Sequence, residues 1–283
     1  MDKTFVRIVI WLGFMAALTL VAMGIWMVGF GGSQTTESLK WLQFLQTLGT
    51  FLLPAIFGAW IWDKNHRPFT WLQLDKKISW QIVVLAIAIM ICAIPAINLL
   101  AELNGKIELP ESLDSIEQLF RKYEEDAARL TERFLQTDNI GVLFINLCLM
   151  ALLPACAEEL SFRGTLQQLL GNRHMAIWLS AIIFSAIHMQ FYGFIPRMLM
   201  GAMFGYVFLW TGSLWAPIVM HFTNNGLAVL LYYFSDEIEG NRTWADTIGT
   251  GNMWWLGLIS LIATTALLGL LYKQLKSKKY ETL

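Results

Sequence analysis

Few ionisable side chains interrupt the long apolar runs of this 283-residue chain, and most of them fall in three short stretches. Glu158, Glu159 and Arg163 stand in Ala-Glu-Glu-Leu-Ser-Phe-Arg-Gly, His188 ends Phe-Ser-Ala-Ile-His, and His221 and Asn225 bound His-Phe-Thr-Asn-Asn. Carboxylates and imidazoles take a proton from water and pass it on, and imidazole and amide N–H groups stabilise an oxyanion. The chemistry suggested is peptide-bond hydrolysis by an activated water. On a helix, Glu159 and Arg163 are four apart with the acid on the N-terminal side, the spacing at which such side chains pair. Glu158 lies about 100° round from Glu159, which leaves it as the carboxylate available for proton transfer, with His188 sharing its water. His221 and Asn225, also four apart, present donors to one side, as binding an oxyanion requires. No serine or cysteine has a base partner by spacing, so no covalent intermediate is expected. Cys92, Cys148 and Cys156 lie in apolar runs without metal-ligand or redox spacing and read as packing residues.

Such groups need a scaffold that brings three segments to one depth of an apolar interior. The chain is 56% hydrophobic and 14% charged, outside the balance of a soluble domain of this length, and its net charge of −1 offers no case for nucleic acid. Crossing about 30 Å of hydrocarbon takes roughly 20 apolar residues. Eight segments qualify: Phe5 to Phe30, Leu39 to Trp62, Ile78 to Leu103, Ile140 to Leu170, Met175 to Met189, Phe194 to Trp210, Leu214 to Phe234, and Met253 to Tyr272. The first exceeds a signal-peptide core and reads as a retained anchor. The expected fold is all-α, a single polytopic transmembrane bundle over residues 1–283.

Lys and Arg concentrate in alternate connections, as cytoplasmic loops require. Lys3 and Arg7, then Lys64, Arg67, Lys76 and Lys77, then Arg173, then Lys273, Lys276, Lys278 and Lys279 fall on one side. The short loops opposite are acidic, with Asp236, Glu237, Glu239 and Asp246 against Arg242. Both termini are therefore expected in the cytoplasm. The long connection between spans three and four carries Leu113, Ile116, Phe120, Tyr123, Ala127, Leu130 and Phe134 at helical spacing among charges. It reads as an amphipathic extramembrane helix over about 111–136, lying at the membrane surface or capping the bundle, with substrate gating the lesser reading.

Other features take plainer readings. Gly201 and Gly205 form a Gly-x-x-x-Gly pair, which serves packing within the chain before a homodimer. Pro154 and Pro217, each four residues ahead of a site residue, are expected to disturb their helices. Arg197 is expected to snorkel to the outer interface, and Phe184 to pack. His66 and His174 fall in inner loops. Trp62, Trp80, Trp210 and Trp254 sit near span ends as interface anchors.

In these motifs the chain resembles the CPBP family, the Abi or type II CAAX-processing family of intramembrane proteases. Glu-Glu-x-x-x-Arg is present as Glu158, Glu159 and Arg163, Phe-x-x-x-His as Phe184 and His188, and His-x-x-x-Asn as His221 and Asn225, in a core of about 154–226. Each motif alone is weak, but three in order on successive spans are specific. The resemblance implies that Glu158 acts as base with His188, that His221 and Asn225 stabilise the oxyanion, and that Glu159 and Arg163 support the site. It also implies a substrate that is a peptide or protein tail at the membrane, in some members lipidated.

Members of the family were first described as metalloproteases. Zinc held by Glu158, His188 and His221 is the alternative to a preferred metal-free glutamate mechanism, there being no His-Glu-x-x-His. Two other readings compete: a non-catalytic scaffold or bacteriocin-immunity-type protein of the same fold, and a proton-coupled transporter, whose usual repeated halves are not seen. Short loops suggest a bacterial inner membrane.

Overall fold

The computed structural model describes residues 3–171, 174–235 and 243–281. These are helical, with no strand among them, as spans in hydrocarbon must be, because a helix satisfies its own backbone groups and an open strand does not. The main helices are α1 Lys3–Phe30, α2 Thr36–Trp62, α3 Trp80–Gly105, α4 Asp114–Leu135 and α5 Ile140–Gln167. They continue with α6 His174–Ala186, α7 Phe194–Thr211, α8 Trp215–Tyr233 and α9 Trp254–Glu281. The all-α membrane bundle expected from the apolar runs is thus observed.

Six of these helices, α1, α2, α3, α5, α7 and α9, are long and apolar enough to cross a membrane. Of the eight expected, α6 has only 13 residues, a rise of about 20 Å. Helix α8 has the length at 19 residues, but His221, Thr223, Asn224 and Asn225 dilute its hydropathy. Connections nonetheless sort onto two faces. On one, the Ser213 hydroxyl donates to the Lys76 carbonyl, Gln73 Nε2 to Gln168 Oε1 at 3.0 Å, and Trp215 Nε1 to Leu74 O at 2.8 Å. On the other, Asn104 Nδ2 donates to Phe191 O at 3.1 Å, Arg133 Nη2 to Gln34 O at 2.5 Å, and Tyr233 Oη to Asp138 O at 3.1 Å. The α6 and α8 segments therefore alternate sides like the six longer helices.

Of the residues used in the loop-charge reading, Arg173, Asp236, Glu237, Glu239 and Arg242 lie outside the described residues, as do the side chains of Lys278 and Lys279.

Proline placement explains two of the three places where the spans widen, the third, Leu160–Gln167 of α5, having no proline. Helix α2 passes through a π-helical turn at Leu48–Leu52 just before Pro54, and α5 through one at Leu147–Leu152 just before Pro154. A proline has no N–H to give and its ring needs clearance from the carbonyl four residues back, and a wider turn supplies that clearance. Pro217 behaves otherwise than expected. It falls in the first turn of α8, where the N–H has no helical partner to lose, so the helix continues undisturbed. In α3, Pro95 leaves a gap that α9 fills: Ser260 Oγ accepts from Ala96 N at 3.1 Å and donates to Cys92 O at 2.5 Å.

The core beside the site joins α3, α7, α8 and α9 through Ile89, Met90, Phe204, Val207, Met220 and Leu271, all fully buried. Helix α4 lies apart from it. Only Phe134 and Leu135 at its end are buried, while Ile116, Leu119, Tyr123 and Leu130 of its apolar stripe are exposed, as suits a helix at a membrane surface. It is strapped to the α6–α7 turn by Phe120 stacked on Phe191 at 5.1 Å and by Arg121 over the Tyr192 ring at 4.8 Å.

Candidate active site

The site is anchored by a buried ion pair on α5. Glu159 and Arg163 are 0% and 1% exposed, and Arg163 Nη1 donates to Glu159 Oε1 at 2.6 Å, the pairing that the four-residue spacing requires. Two charges this deep are stable together only if their remaining hydrogen-bonding groups are met. Arg163 Nη2 donates to the carbonyl of Gly201 at 2.9 Å, and its guanidinium lies 4.7 Å from the Phe184 ring and 5.4 Å from that of Phe204. One turn on, Gln167 Nε2 repeats the pattern on the carbonyl of Gly205 at 3.1 Å. A Cβ on Gly201 would meet Arg163 Nη2 at 3.0 Å, and one on Gly205 would meet Gln167 Oε1 at 2.7 Å and Ile177 Cγ2 at 2.8 Å. The Gly-x-x-x-Gly pair thus lets α7 press on α5 and α6 of the same chain.

Glu159 also does what its spacing does not disclose. Its Oε1 accepts from His221 Nδ1 at 2.9 Å, so the carboxylate fixes the imidazole's proton on Nδ1 and turns Nε2 toward Glu158, whose Oε2 is 3.8 Å away. Phe204 stacks on the ring at 5.4 Å and Phe184 meets it edge-on at 6.1 Å. His188 is fixed similarly: its Nδ1 donates to the Phe184 carbonyl at 2.7 Å, leaving Nε2 as the free nitrogen. Its ring stands edge-on to Phe184 at 5.0 Å. Phe184 therefore packs, as expected, and in doing so contacts both imidazoles and the guanidinium.

Asn225 is tied to the widened turn of α5. Pro154 cannot give an N–H to Met150 O, and Asn225 Nδ2 donates to that carbonyl at 3.3 Å. Asn224 Nδ2 in turn donates to Asn225 Oδ1 at 3.1 Å.

A cavity of about 450 Å³ joins these groups, lined by Glu158, His188, His221, Asn224 and Asn225 and, toward α4 and the α6–α7 turn, by Thr131, Gln190 and Arg197. Glu158, with 12% of its side chain exposed, faces into it. Arg197 reaches back to the α6–α7 turn. Its Nη2 donates to Gln190 Oε1 at 2.7 Å, and the guanidinium lines the cavity, because Gly193 leaves room for it where any Cβ would stand 2.9 Å from Nη2.

Glu158, His188, His221 and Asn225 are thus brought to one cavity, which Phe184 also lines, while Glu159 and Arg163 lie behind them. The motifs did not point to Gln167, Phe204, Gln190 or Asn224. A matched pair of four-residue spacings, Arg163 with Gln167 and Gly201 with Gly205, was the one signal in the sequence for part of this set. Among the described residues no three His, Cys, Asp or Glu side chains are gathered closely enough to hold a metal ion. Glu158, His188 and His221, the three residues of the zinc alternative, line one cavity, with His221 Nδ1 engaged by Glu159.

Residues 140–227 match the family model for type II CAAX prenyl endopeptidases, Rce1-like. The matched segment carries all three motifs and is similar to that protease family, and it lies within a helical bundle that has six helices long and apolar enough to cross a membrane. Among curated proteins, the "Uncharacterized protein YpbD" of Bacillus subtilis (strain 168) is 35% identical over 77 residues, which are 26% of this chain and 38% of that protein. The chain therefore matches well under half the length of this relative. No solved structure matches the chain.

Proposed function

We propose that the chain is an intramembrane endopeptidase that hydrolyses a peptide bond near the membrane with a water activated by Glu158. The observation that carries this reading is the pairing of Glu158 Oε2 with His221 Nε2 at 3.8 Å in a cavity that also holds His188 and Asn225. In the reaction, Glu158 takes one proton from a water that His188 Nε2 helps to orient, and the hydroxide oxygen bonds to the carbonyl carbon. His221, held through its Nδ1–H by Glu159, faces the oxyanion with Nε2. Asn224 and Asn225 add amide donors. The carbon–nitrogen bond then breaks as Glu158 returns its proton to the leaving amine. No step involves a metal. The substrate is a peptide or protein tail at the membrane, and the membrane is a bacterial inner membrane. Both termini are cytoplasmic, on the face that bears Lys64, Arg67, Lys76 and Lys77.

Purified full-length protein in detergent, incubated with a degenerate peptide pool and followed by mass spectrometry, tests this. Wild type is expected to cut, and Glu158→Gln to cut 10²- to 10⁴-fold more slowly, the range a general base contributes. Equal cleavage by the two, or none by folded wild type, would remove the assignment and favour a non-catalytic scaffold.

A further inference from the structure

The depth of the site relative to the two faces of the bundle decides where a substrate arrives. Every connection-derived residue lining the cavity comes from one face: Thr131 from α4, and Gln190 and Gly193 from the α6–α7 turn, with Arg197 beside them in the first turn of α7. None comes from the α2–α3 or α7–α8 connections or the end of α5, which form the opposite face through Gln73, Leu74, Lys76, Gln168 and Ser213. Between Glu158 and that opposite face the chain is solid. Phe162, Arg163, Leu166, Gln167, Phe208 and Leu214 are at most 3% exposed, and a layer so close-packed has no passage for water or peptide.

The two faces also differ in charge. The closed one carries Lys64, Arg67, Lys76, Lys77, Lys273 and Lys276, whereas the 33 positions from Lys106 to Asp138 on the open face hold five basic and nine acidic residues. The bias of Lys and Arg in short loops sets the closed face in the cytoplasm.

We infer that the cavity takes its substrate from the extracytoplasmic side, beneath α4, so that the peptides it accepts are exported or surface-exposed ones. This rests on the proposed hydrolytic role only for the word substrate; the direction of access is a property of the bundle and is measured without turnover. Helix α4 is the element a peptide must pass. It is pinned at its start by Phe120 on Phe191 and at its end by Arg133 to Thr36 Oγ1 at 2.9 Å, with Thr131 between them over the cavity.

The experiment uses the full chain with Cys92, Cys148 and Cys156 replaced by serine, expressed in bacterial cells. Single cysteines are then placed at Gln190 in the mouth, Met200 in the cavity wall and Lys64 on the closed face, and labelled with a small membrane-impermeant thiol reagent. In intact spheroplasts Gln190→Cys and Met200→Cys are expected to react at least tenfold faster than in inverted vesicles, and Lys64→Cys to show the reverse. If Met200→Cys proves insoluble, Asn224→Cys reports the same wall. Reaction of the cavity cysteine from the cytoplasmic side, or from neither side, overturns the inference. A cavity labelled from outside in a protein that cuts no peptide leaves the access route standing and removes only the protease reading.

Discussion

Removing one member of the Glu159–Arg163 pair isolates what the buried charges do. In Arg163→Met the Glu159 carboxylate, 0% exposed, keeps only His221 as a partner, and in Glu159→Met the guanidinium keeps only the Gly201 carbonyl and two aromatic faces. Breaking a buried pair from one side costs about 3 to 5 kcal/mol, because a desolvated charge is left uncompensated. Removing both charges together is far cheaper, since apolar side chains of similar volume replace a buried pair with little loss. The double variant retains one deficit, the His221 Nδ1–H left without its acceptor, worth about 1 to 3 kcal/mol. The two substitutions should therefore couple by on the order of 3 kcal/mol or more. Unfolding in mixed micelles by titration with sodium dodecyl sulfate, followed by the fluorescence of the 13 tryptophans, measures all four corners of the cycle. Peptide cleavage should not recover with stability: without Glu159 nothing orients His221, so the double variant is expected to be as slow as Glu158→Gln. Single variants within about 1 kcal/mol of wild type, or costs that simply add, would refute the role given to the pair.

Pro154→Ala restores an N–H facing Met150 O and competes with Asn225 for it, so cleavage is expected to fall several-fold while the level of protein in the membrane is unchanged. Gly205→Ala should lower stability by about 1 to 3 kcal/mol, the usual cost of overpacking, and more than Gly201→Ala, because Ile177 is branched and buried; micelle unfolding again gives the order. On α4, burial raises the Glu124 carboxyl above its ordinary value, against the pull of Arg197 and of the Tyr192 backbone N–H. One of its oxygens, Oε2, is buried without a partner. A raised folded-state value means the native protein binds this proton more tightly than the unfolded chain, so the stabilising contribution is present at low pH and lost as pH rises through the folded value. Glu124→Gln should flatten that decline, and an unchanged pH profile of unfolding would contradict it.

The amino-acid sequence by itself determined the elements and the buried polar pair internal to α5. Apolar runs dictate spans because the hydrocarbon thickness sets their length. The four-residue spacing of Glu159 and Arg163 dictates their contact because both side chains project from one helical surface. Even the two helices that fall short as spans do so for reasons written in their residues, α6 in its length and α8 in the polar groups it carries to the cavity.

Only the tertiary structure decided which groups meet across helices. That His221 turns Nδ1 to Glu159, that Arg163 reaches the carbonyl of Gly201, and that Arg197 bends into the cavity each depend on the rotation and depth of one helix against another. Periodicity along a single helix carries neither quantity. The widened turn at Pro154, which leaves Met150 O for Asn225 to satisfy, was visible as a proline but not as a partner, because a backbone carbonyl has no letter in the sequence.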